Sequence, residues 1–443
     1  MIDWYLILLI GMVVLISNMK YFGEHQTKGD YLYHKNEFGL SEGTFRILFG
    51  TISGTAVVLP IYFLEQIGSL GGFVLALTGL FSLYGYSILA KRIKLRLIDI
   101  QHNIQTIKPL TKKLIVIVLI IINLEGLIVQ TLLAEEVLTR VLSVPAWTAL
   151  LLICFSSFIF AGLGGSIGLQ RVGTFLIVCL FLGVTVNPIS LYLTQGIHPT
   201  LMALESAIPS FLKTDIGNLF LYVFAAAIIM NGYLLSNVQL STSLLRIKEK
   251  RLKLSVQISA FCWMSVPLAF TSIYIYFIGQ SGSTSFFYTS LLERLSAVLL
   301  YLLIISALSV FLMSAGNSIF SVAVLLISGK EKPDFQKLYI GLAGIAFLPF
   351  LLHLSADNLL EISIIFFGNL FAACFPIFYY FLRNERETEL GLFIPASLIG
   401  AATFGSFFSF YTSFVQGVLI SFAFALICIL INKIAWSVNY SEK

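Results

Sequence analysis

Glu125 is the residue in this sequence with the clearest capacity for chemistry, because it lies inside the apolar run 114–139. If that run is helical, Glu125 lies about 18 Å beyond Lys113, near the middle of a bilayer core. No Lys or Arg occurs at a comparable depth in any other apolar run. A lone carboxylate there is costly unless it is protonated, bound to a cation or hydrated. Glu125 is therefore predicted to carry a proton or a cation, or to contact a cationic solute. Alternatively, it is a protonated structural acid bonded to a carbonyl.

Two apolar runs are interrupted by small and polar residues. The run 44–64 contains Ser53, Gly54 and Thr55, and the run 217–239 contains Asn231 and Gly232. A helix that opens at such a point frees backbone groups that protein, water or an ion must satisfy within a membrane. The alternative is that these residues permit close packing and hydrogen bonds between helices. The candidate solute-binding residues are Ser53, Gly54, Thr55, Asn231, Tyr233 and Asn369.

The other reactive residue types form no catalytic or metal-binding pattern. All five cysteines lie in apolar runs, and the five histidines lie in loops or at helix ends. No phosphate-binding loop is present, and no nucleophile can be matched with a base and an orienting acid. We expect a protein that is not an enzyme, with no cofactor or metal other than a coupling ion and with no nucleic-acid partner.

The composition places these residues in a membrane protein. Of the 443 residues, 58% are hydrophobic and 11% are charged, whereas a soluble domain carries about 25% charged residues. The apolar runs predict an all-α integral membrane protein of about thirteen transmembrane helices, forming a single domain over residues 1–443. The runs lie at 4–19, 44–64, 68–90, 114–139, 145–163, 172–194, 217–239, 255–278, 295–327, 338–354, 361–382, 390–412 and 415–435.

The basic residues predict the orientation of these helices. With the N-terminus outside, 24 of the 27 Lys and Arg residues fall on the cytoplasmic side, many of them in the joints 91–113 and 246–253. Such an imbalance follows the positive-inside rule. We therefore expect a multi-pass protein of the plasma membrane with a cytoplasmic C-terminus. Its expected partners are the lipid bilayer and a small-molecule solute, and the sequence does not identify any protein partners.

The two interrupted runs are five spans apart, which predicts an inverted repeat of five plus five helices. In such a repeat, each half opens with a discontinuous helix, and the two breaks form a binding site near the middle of the membrane. The predicted repeats cover about 42–194 and 216–382. One extra helix precedes them at 4–19, and two follow at 390–412 and 415–435.

Four segments resemble the sodium/solute symporter family, whose members share the leucine-transporter-type inverted-repeat fold. They read GDYLYHKNEFGLSEGTFRILFGTISGTAVV (29–58), IFAGLGG (159–165), NVQLSTSLLRIKEKR (237–251) and FLMSAGNSIFS (311–321). The resemblance implies a sodium ion held by backbone carbonyls and hydroxyls of two core helices. The corresponding positions here are Phe49, Ile52, Phe311, Ser314 and Ala315.

Three of the family's polar positions are changed in this chain. Ala315 replaces a hydroxyl ligand, Thr51 stands where many relatives carry an acid or amide, and Gly173 replaces an aspartate. We expect a cation-coupled secondary transporter that imports a small polar organic solute by alternating access, driven by sodium or by protons. The alternative is a transporter-like protein without transport activity that acts as a membrane sensor or as a subunit of a membrane assembly.

Overall fold

The computed structural model describes residues 27–33, 37–103, 109–198, 216–281, 295–327, 332–355, 358–383 and 393–441, with isolated positions 13, 202 and 205. These ranges are almost entirely helical. The helices are α1 (Lys28–Leu32), α2 (Leu40–Thr51), α3 (Thr55–Ile67), α4 (Gly71–Asn103), α5 (Pro109–Asn123), α6 (Glu125–Leu142), α7 (Ala146–Ser157), α8 (Gly165–Gln195), α9 (Ile216–Ser236), α10 (Val238–Arg246), α11 (Glu249–Ser281), α12 (Ala297–Ile327), α13 (Phe335–Ala346), α14 (Leu348–His353), α15 (Leu359–Arg383), α16 (Phe393–Tyr411) and α17 (Phe414–Ser441). A π-helical turn, Phe158–Leu163, follows α7 directly.

The helices confirm a protein that crosses the membrane many times. Within the described ranges, eleven segments are long and apolar enough to span a bilayer, and the bent pair α2 and α3 makes a twelfth. They match, in order, the predicted runs from 44–64 to 415–435. The predicted first helix, 4–19, lies outside the described ranges, so the predicted total of thirteen is not confirmed.

The predicted interruption of the run 44–64 is present. Helix α2 ends at Thr51, Ile52 adopts an extended conformation, and α3 begins at Thr55 with a bend of 53° between the two helices. Gly54 is required at this turn because a Cβ there would collide with the Phe311 ring and the Gln130 side chain. The two half-helices therefore expose backbone groups inside the bundle.

The interruption of the run 217–239 lies further along the chain than predicted. Helix α9 continues through Asn231 and Gly232 and ends at Ser236, and Asn237 caps the following helix by accepting a hydrogen bond from the Leu240 N–H. Asn231 donates to the Ala227 carbonyl within α9. Gly232 allows the backbone of α15 to approach, since a Cβ there would meet the Phe371 carbonyl. These residues therefore serve helix packing, and the Asn237 cap makes the break.

The helices pack as two groups with a seam between them. In the first group, α11 packs on α4, α2 and α3, and α9 packs on α4. In the second, α12 packs on α6 and α7, and α14 packs on α6 and α7. Helix α8 contacts both α11 and α12, and α15 contacts both α9 and α6, so these two helices join the groups. The breaks in α2/α3 and α9/α10 lie where the two groups meet, and they place backbone groups without helical partners there.

Candidate functional site

The carbonyl groups released at the end of α2 are held by side chains from other helices. The Gly50 carbonyl accepts hydrogen bonds from the Tyr233 hydroxyl at 2.9 Å and from Asn237 Nδ2 at 3.0 Å. The Thr51 carbonyl accepts a bond from Trp263 Nε1 at 3.1 Å. Polar side chains of α9, α10 and α11 therefore satisfy a break that would be costly in an apolar environment.

The family-type cation position is not assembled in this chain. The resemblance predicts ligands from Phe49, Ile52, Phe311, Ser314 and Ala315. The Phe49 carbonyl instead accepts a hydrogen bond from Asn317 Nδ2 at 2.5 Å. Ala315 is fully buried and has no side-chain oxygen, and the Ser314 hydroxyl lies beside Gly126 of α6. An amide N–H group repels a cation, so these residues do not fit a sodium ion at that position.

A small polar cavity lies between α6, α12 and the break of α9/α10. Its volume is about 20 Å³, which is room for about one water molecule or one bare monovalent cation. Most of its lining residues have an oxygen atom in the side chain. They are Ile122, Asn123, Glu125, Gly126, Tyr233, Ser236, Asn237, Ser314, Asn317, Ser318, Ser321 and Phe371.

Glu125 is the first residue of α6, immediately after the turn at Leu124. Helices α5 and α6 together form one membrane-spanning segment, Pro109–Leu142, which contains the predicted span 114–139. Glu125 is 6% exposed, and its Oε1 accepts a hydrogen bond from Gln130 Nε2 at 2.8 Å. Beside it, Asn123 donates to the Ser236 carbonyl and accepts a bond from the Val238 N–H. The chain just before the carboxylate is thus hydrogen-bonded directly to the break between α9 and α10.

A second and larger cavity lies at the bend between α2 and α3. Its volume is about 150 Å³, about the size that accommodates a benzene ring in an apolar protein interior. Among the described residues, Glu125 is the only charged residue that lines it. The lining consists of Thr51, Ser53, Thr55, Ala56, Leu59, Tyr62, Phe63, Leu75, Thr78, Gly79, Glu125, Val129, Tyr222, Ala225, Ala226, Ile229, Met230, Tyr233, Trp263, Ile364, Phe367, Gly368, Phe371, Phe414 and Val415. We call it the aromatic cavity.

The predicted solute-binding residues divide between this cavity and helix contacts. Ser53, Thr55 and Tyr233 line the aromatic cavity. Gly54 lies at the bend, against Phe311 and Gln130. Asn231 faces α4, where its amide donates to Ser82 Oγ at 3.3 Å. Asn369 is fully buried and donates to Ser409 Oγ of α16 at 3.0 Å. For Asn231 and Asn369, the geometry matches interhelical hydrogen bonds.

A third cavity, of about 350 Å³, runs along α2 towards its beginning, and we call it the vestibule. Arg46 is buried beside it and donates to Ser166 Oγ and Gln170 Oε1. Of the α2 residues that line the vestibule, Phe49 is nearest the bend. A Cβ on Gly173 would lie 2.5 Å from the Phe49 ring, so an aspartate at this position would displace that ring. The Phe49 ring therefore occupies the space that the aspartate expected from the resemblance would need.

Three residues that contact the candidate site were not predicted from the sequence. Asn317 lies two residues after Ala315. A polar residue in an apolar span could have indicated that it contacts the site. Gln130 follows Glu125 by five residues, a spacing that does not suggest a contact on a regular helix. Trp263 belongs to α11, and nothing in its local sequence relates it to the α2 carbonyls.

No family model and no curated protein matches this sequence. Solved structures do match its fold. A substrate-bound, outward-open Na⁺-coupled sialic acid symporter aligns with a TM-score of 0.73 and 13% identity, over 97% of this chain and 96% of its own. An Eremococcus coleocola manganese transporter aligns with a TM-score of 0.55 and 13% identity, over 90% of this chain and 93% of its own. MhsT in complex with L-phenylalanine aligns with a TM-score of 0.55 and 14% identity, over 88% of this chain and 97% of its own.

These likenesses show the fold. The all-helical, leucine-transporter-type architecture expected from the resemblance is confirmed, and it extends over almost the whole chain. Two of these solved proteins are described as transporters. The chain itself is a multi-span membrane protein that shares the fold of these structures.

Proposed function

We propose that this protein is a cation-coupled secondary transporter that imports a small organic solute by alternating access. The observation that carries the proposal is the aromatic cavity, which lies at the bend between α2 and α3 and shares Glu125 with the polar cavity. A coupling ion and a solute need sites that sense each other, and one carboxylate on both cavities provides that link. We further propose the plasma membrane as its location.

The cavity lining narrows the kind of solute. The sequence predicts a polar solute, but most of the aromatic cavity is apolar. We infer a solute with an apolar body whose polar group lies towards Ser53, Thr55 and Tyr233. Within the described part of the chain, no Lys, Arg or His lines this cavity, so these residues offer no basic side chain to an anionic group.

The vestibule supports a route between the aromatic cavity and one side of the membrane. Phe49 lies between the vestibule and the bend, with its ring against Gly173. Movement of α2 relative to α8 would shift this ring and join the two spaces. On the other side of the bend, the rings of Phe63 and Tyr222 lie 6.0 Å apart and connect α3 to α9.

The decisive experiment is solute accumulation and counterflow in proteoliposomes, screened over small organic solutes with and without a sodium or pH gradient. We expect Glu125→Gln to abolish accumulation against a gradient while retaining counterflow, because the amide mimics a protonated acid. Glu65→Gln is the control, since Glu65 is exposed near the end of α3. Accumulation by Glu125→Gln at the wild-type level, with the same ion dependence, would remove Glu125 from coupling.

We propose the orientation given by the basic residues, with the joints 91–113 and 246–253 in the cytoplasm. Cysteines introduced at Arg92 or Lys250 should resist membrane-impermeant reagents in intact cells and react after permeabilisation. Rapid labelling of both in intact cells would reverse the orientation.

A transport-inactive sensor or membrane subunit is the second candidate. It is favoured by the hydrogen bond from Asn317 to the Phe49 carbonyl, which occupies the family-type ion position with a protein group. The two candidates differ in one result. A sensor binds its ligand but shows no counterflow in proteoliposomes, whereas a transporter shows both.

A further inference from the structure

The two polar atoms of the Asn317 side chain, Nδ2 and Oδ1, differ in their hydrogen bonding. Its Nδ2 donates to the Phe49 carbonyl at 2.5 Å. Its Oδ1 is buried and has no hydrogen-bond partner among the described residues, although the residue is only 4% exposed. An unsatisfied buried acceptor is costly, and in native proteins it commonly indicates an absent water or ion. Asn317 lines the polar cavity, so a ligand there could satisfy this oxygen.

The other groups around the cavity have the chemistry of a cation site. Glu125 supplies a carboxylate, of which one oxygen accepts a bond from Gln130. The Ser314 and Ser318 side chains lie against Gly126, where a Cβ would be 2.9 Å from Ser314 Oγ and 2.5 Å from Ser318 Oγ. Gly126 therefore allows α12 to bring its hydroxyls beside the backbone next to the carboxylate. Carboxylate, amide and hydroxyl oxygens are the ligands that hard cations prefer.

Charge and size favour a single small monovalent ion. Among the residues lining the polar cavity, Glu125 is the only acid and none is basic. One bound monovalent cation would neutralise the buried carboxylate, which otherwise carries a large desolvation cost. The cavity volume of about 20 Å³ leaves room for one ion and for no hydrated cluster. Among the described residues, no group of three His, Cys, Asp or Glu side chains could hold a metal ion.

We propose that the polar cavity is a sodium site formed by Glu125, Ser314, Asn317 and Ser318, displaced from the position that the fold would suggest. The Asn317 amide N–H takes the place of an ion at the Phe49 carbonyl, and the oxygen of the same side chain is left to bind the sodium ion. The sodium ion binds between α6 and α12. The coupling role of this ion depends on the proposed transport function, but its binding does not.

The test is sodium binding to the purified full-length protein in detergent, without any solute. NaCl is titrated against choline chloride at constant ionic strength, and the midpoint of thermal unfolding is recorded. A ligand that binds only the folded state raises this midpoint according to its concentration and dissociation constant. We expect sodium, but not choline, to raise it in the wild type. Glu125→Gln and Ser318→Ala should each weaken sodium binding at least about tenfold.

The matched control is Ser309→Ala. Ser309 is also buried on α12, but its hydroxyl donates to the Ile305 carbonyl and lies outside the cavity lining. We expect its sodium response to equal that of the wild type. Should Glu125→Gln fail to fold, Ser318→Ala against Ser309→Ala still decides the question.

Three results would overturn the proposal. They are no sodium-specific stabilisation of the wild type, equal stabilisation of the wild type and Ser318→Ala, or stabilisation that follows pH and not sodium. Uptake assays separate this proposal from the proposed function. Sodium binding without uptake would support the sodium site and contradict the proposed transport function. Uptake without any sodium effect would support transport and contradict the sodium site.

Discussion

The two faces of α12 near Asn317 have opposite chemistry. Towards the bend of α2 and α3, Phe311 places its ring against Gly54, and Ala315 follows one turn later without a side-chain oxygen. Towards α6, Ser314, Ser318 and Ser321 all line the polar cavity. Their spacing of four and three residues puts these serines on one stripe of the helix. The face expected to bind an ion is closed by protein groups, and the neighbouring face is rich in oxygen.

In the proposed arrangement, the ion lies beside the helix break and not at it. The Asn317 amide satisfies the carbonyl of Phe49, which the helix break leaves without a helical partner. The same residue extends the oxygen stripe to the adjacent cavity, where Glu125 supplies the charge. The resemblance places the helix break and the ion site together, whereas the proposed sodium site separates them.

Asn317→Leu should have the largest effect, because it alters both faces. The Phe49 carbonyl would lose its hydrogen bond and the polar cavity would lose an oxygen. We expect unfolding free energy to fall by about 1–3 kcal/mol and the sodium response to disappear. Thermal unfolding with and without sodium measures both effects. An unchanged midpoint would show that the bond to Phe49 contributes little, and an intact sodium response would remove Asn317 from the site.

Gly126→Ala should act on the polar face alone. The added methyl group would lie 2.5 Å from Ser318 Oγ, so it must displace the hydroxyl or separate α6 from α12. We expect a destabilisation of about 1–3 kcal/mol and sodium binding weakened at least about tenfold. Gly85→Ala on α4 is the matched control, since nothing lies within 4 Å of a Cβ at that position. Similar losses in both variants would mean that the cavity plays no special part.

Ala315→Ser should have the smallest effect, and it separates the two faces most sharply. If the family-type position held sodium, the new hydroxyl would strengthen binding by restoring a ligand. Because Asn317 already holds the Phe49 carbonyl, we expect the hydroxyl to bond within its own helix. The sodium affinity should then change by less than about twofold. A clear gain in sodium affinity would indicate that sodium binds at the face of α12 that carries Phe311 and Ala315, and it would contradict the displaced site.

The amino-acid sequence alone determined the class of protein and most of its architecture. Apolar runs of spanning length predict the described helices in the correct order, because a bilayer accepts only segments that satisfy their own backbone. The cluster at Ser53 to Thr55 also marks the first break, since a glycine at a close approach leaves a local signal. Glu125 was recognisable from depth alone, as a charge within an apolar run.

Tertiary structure decided what these features do together. Asn231 and Gly232 look like a break, but contacts with α4 and α15 keep α9 helical there, and the Asn237 cap ends it. The aromatic cavity is lined by residues from helices far apart in sequence, so no local sequence pattern predicts it. Whether Phe49 offers its carbonyl to an ion or to Asn317 depends on how α2 lies against α12. A backbone carbonyl can bind either partner, and only packing selects one.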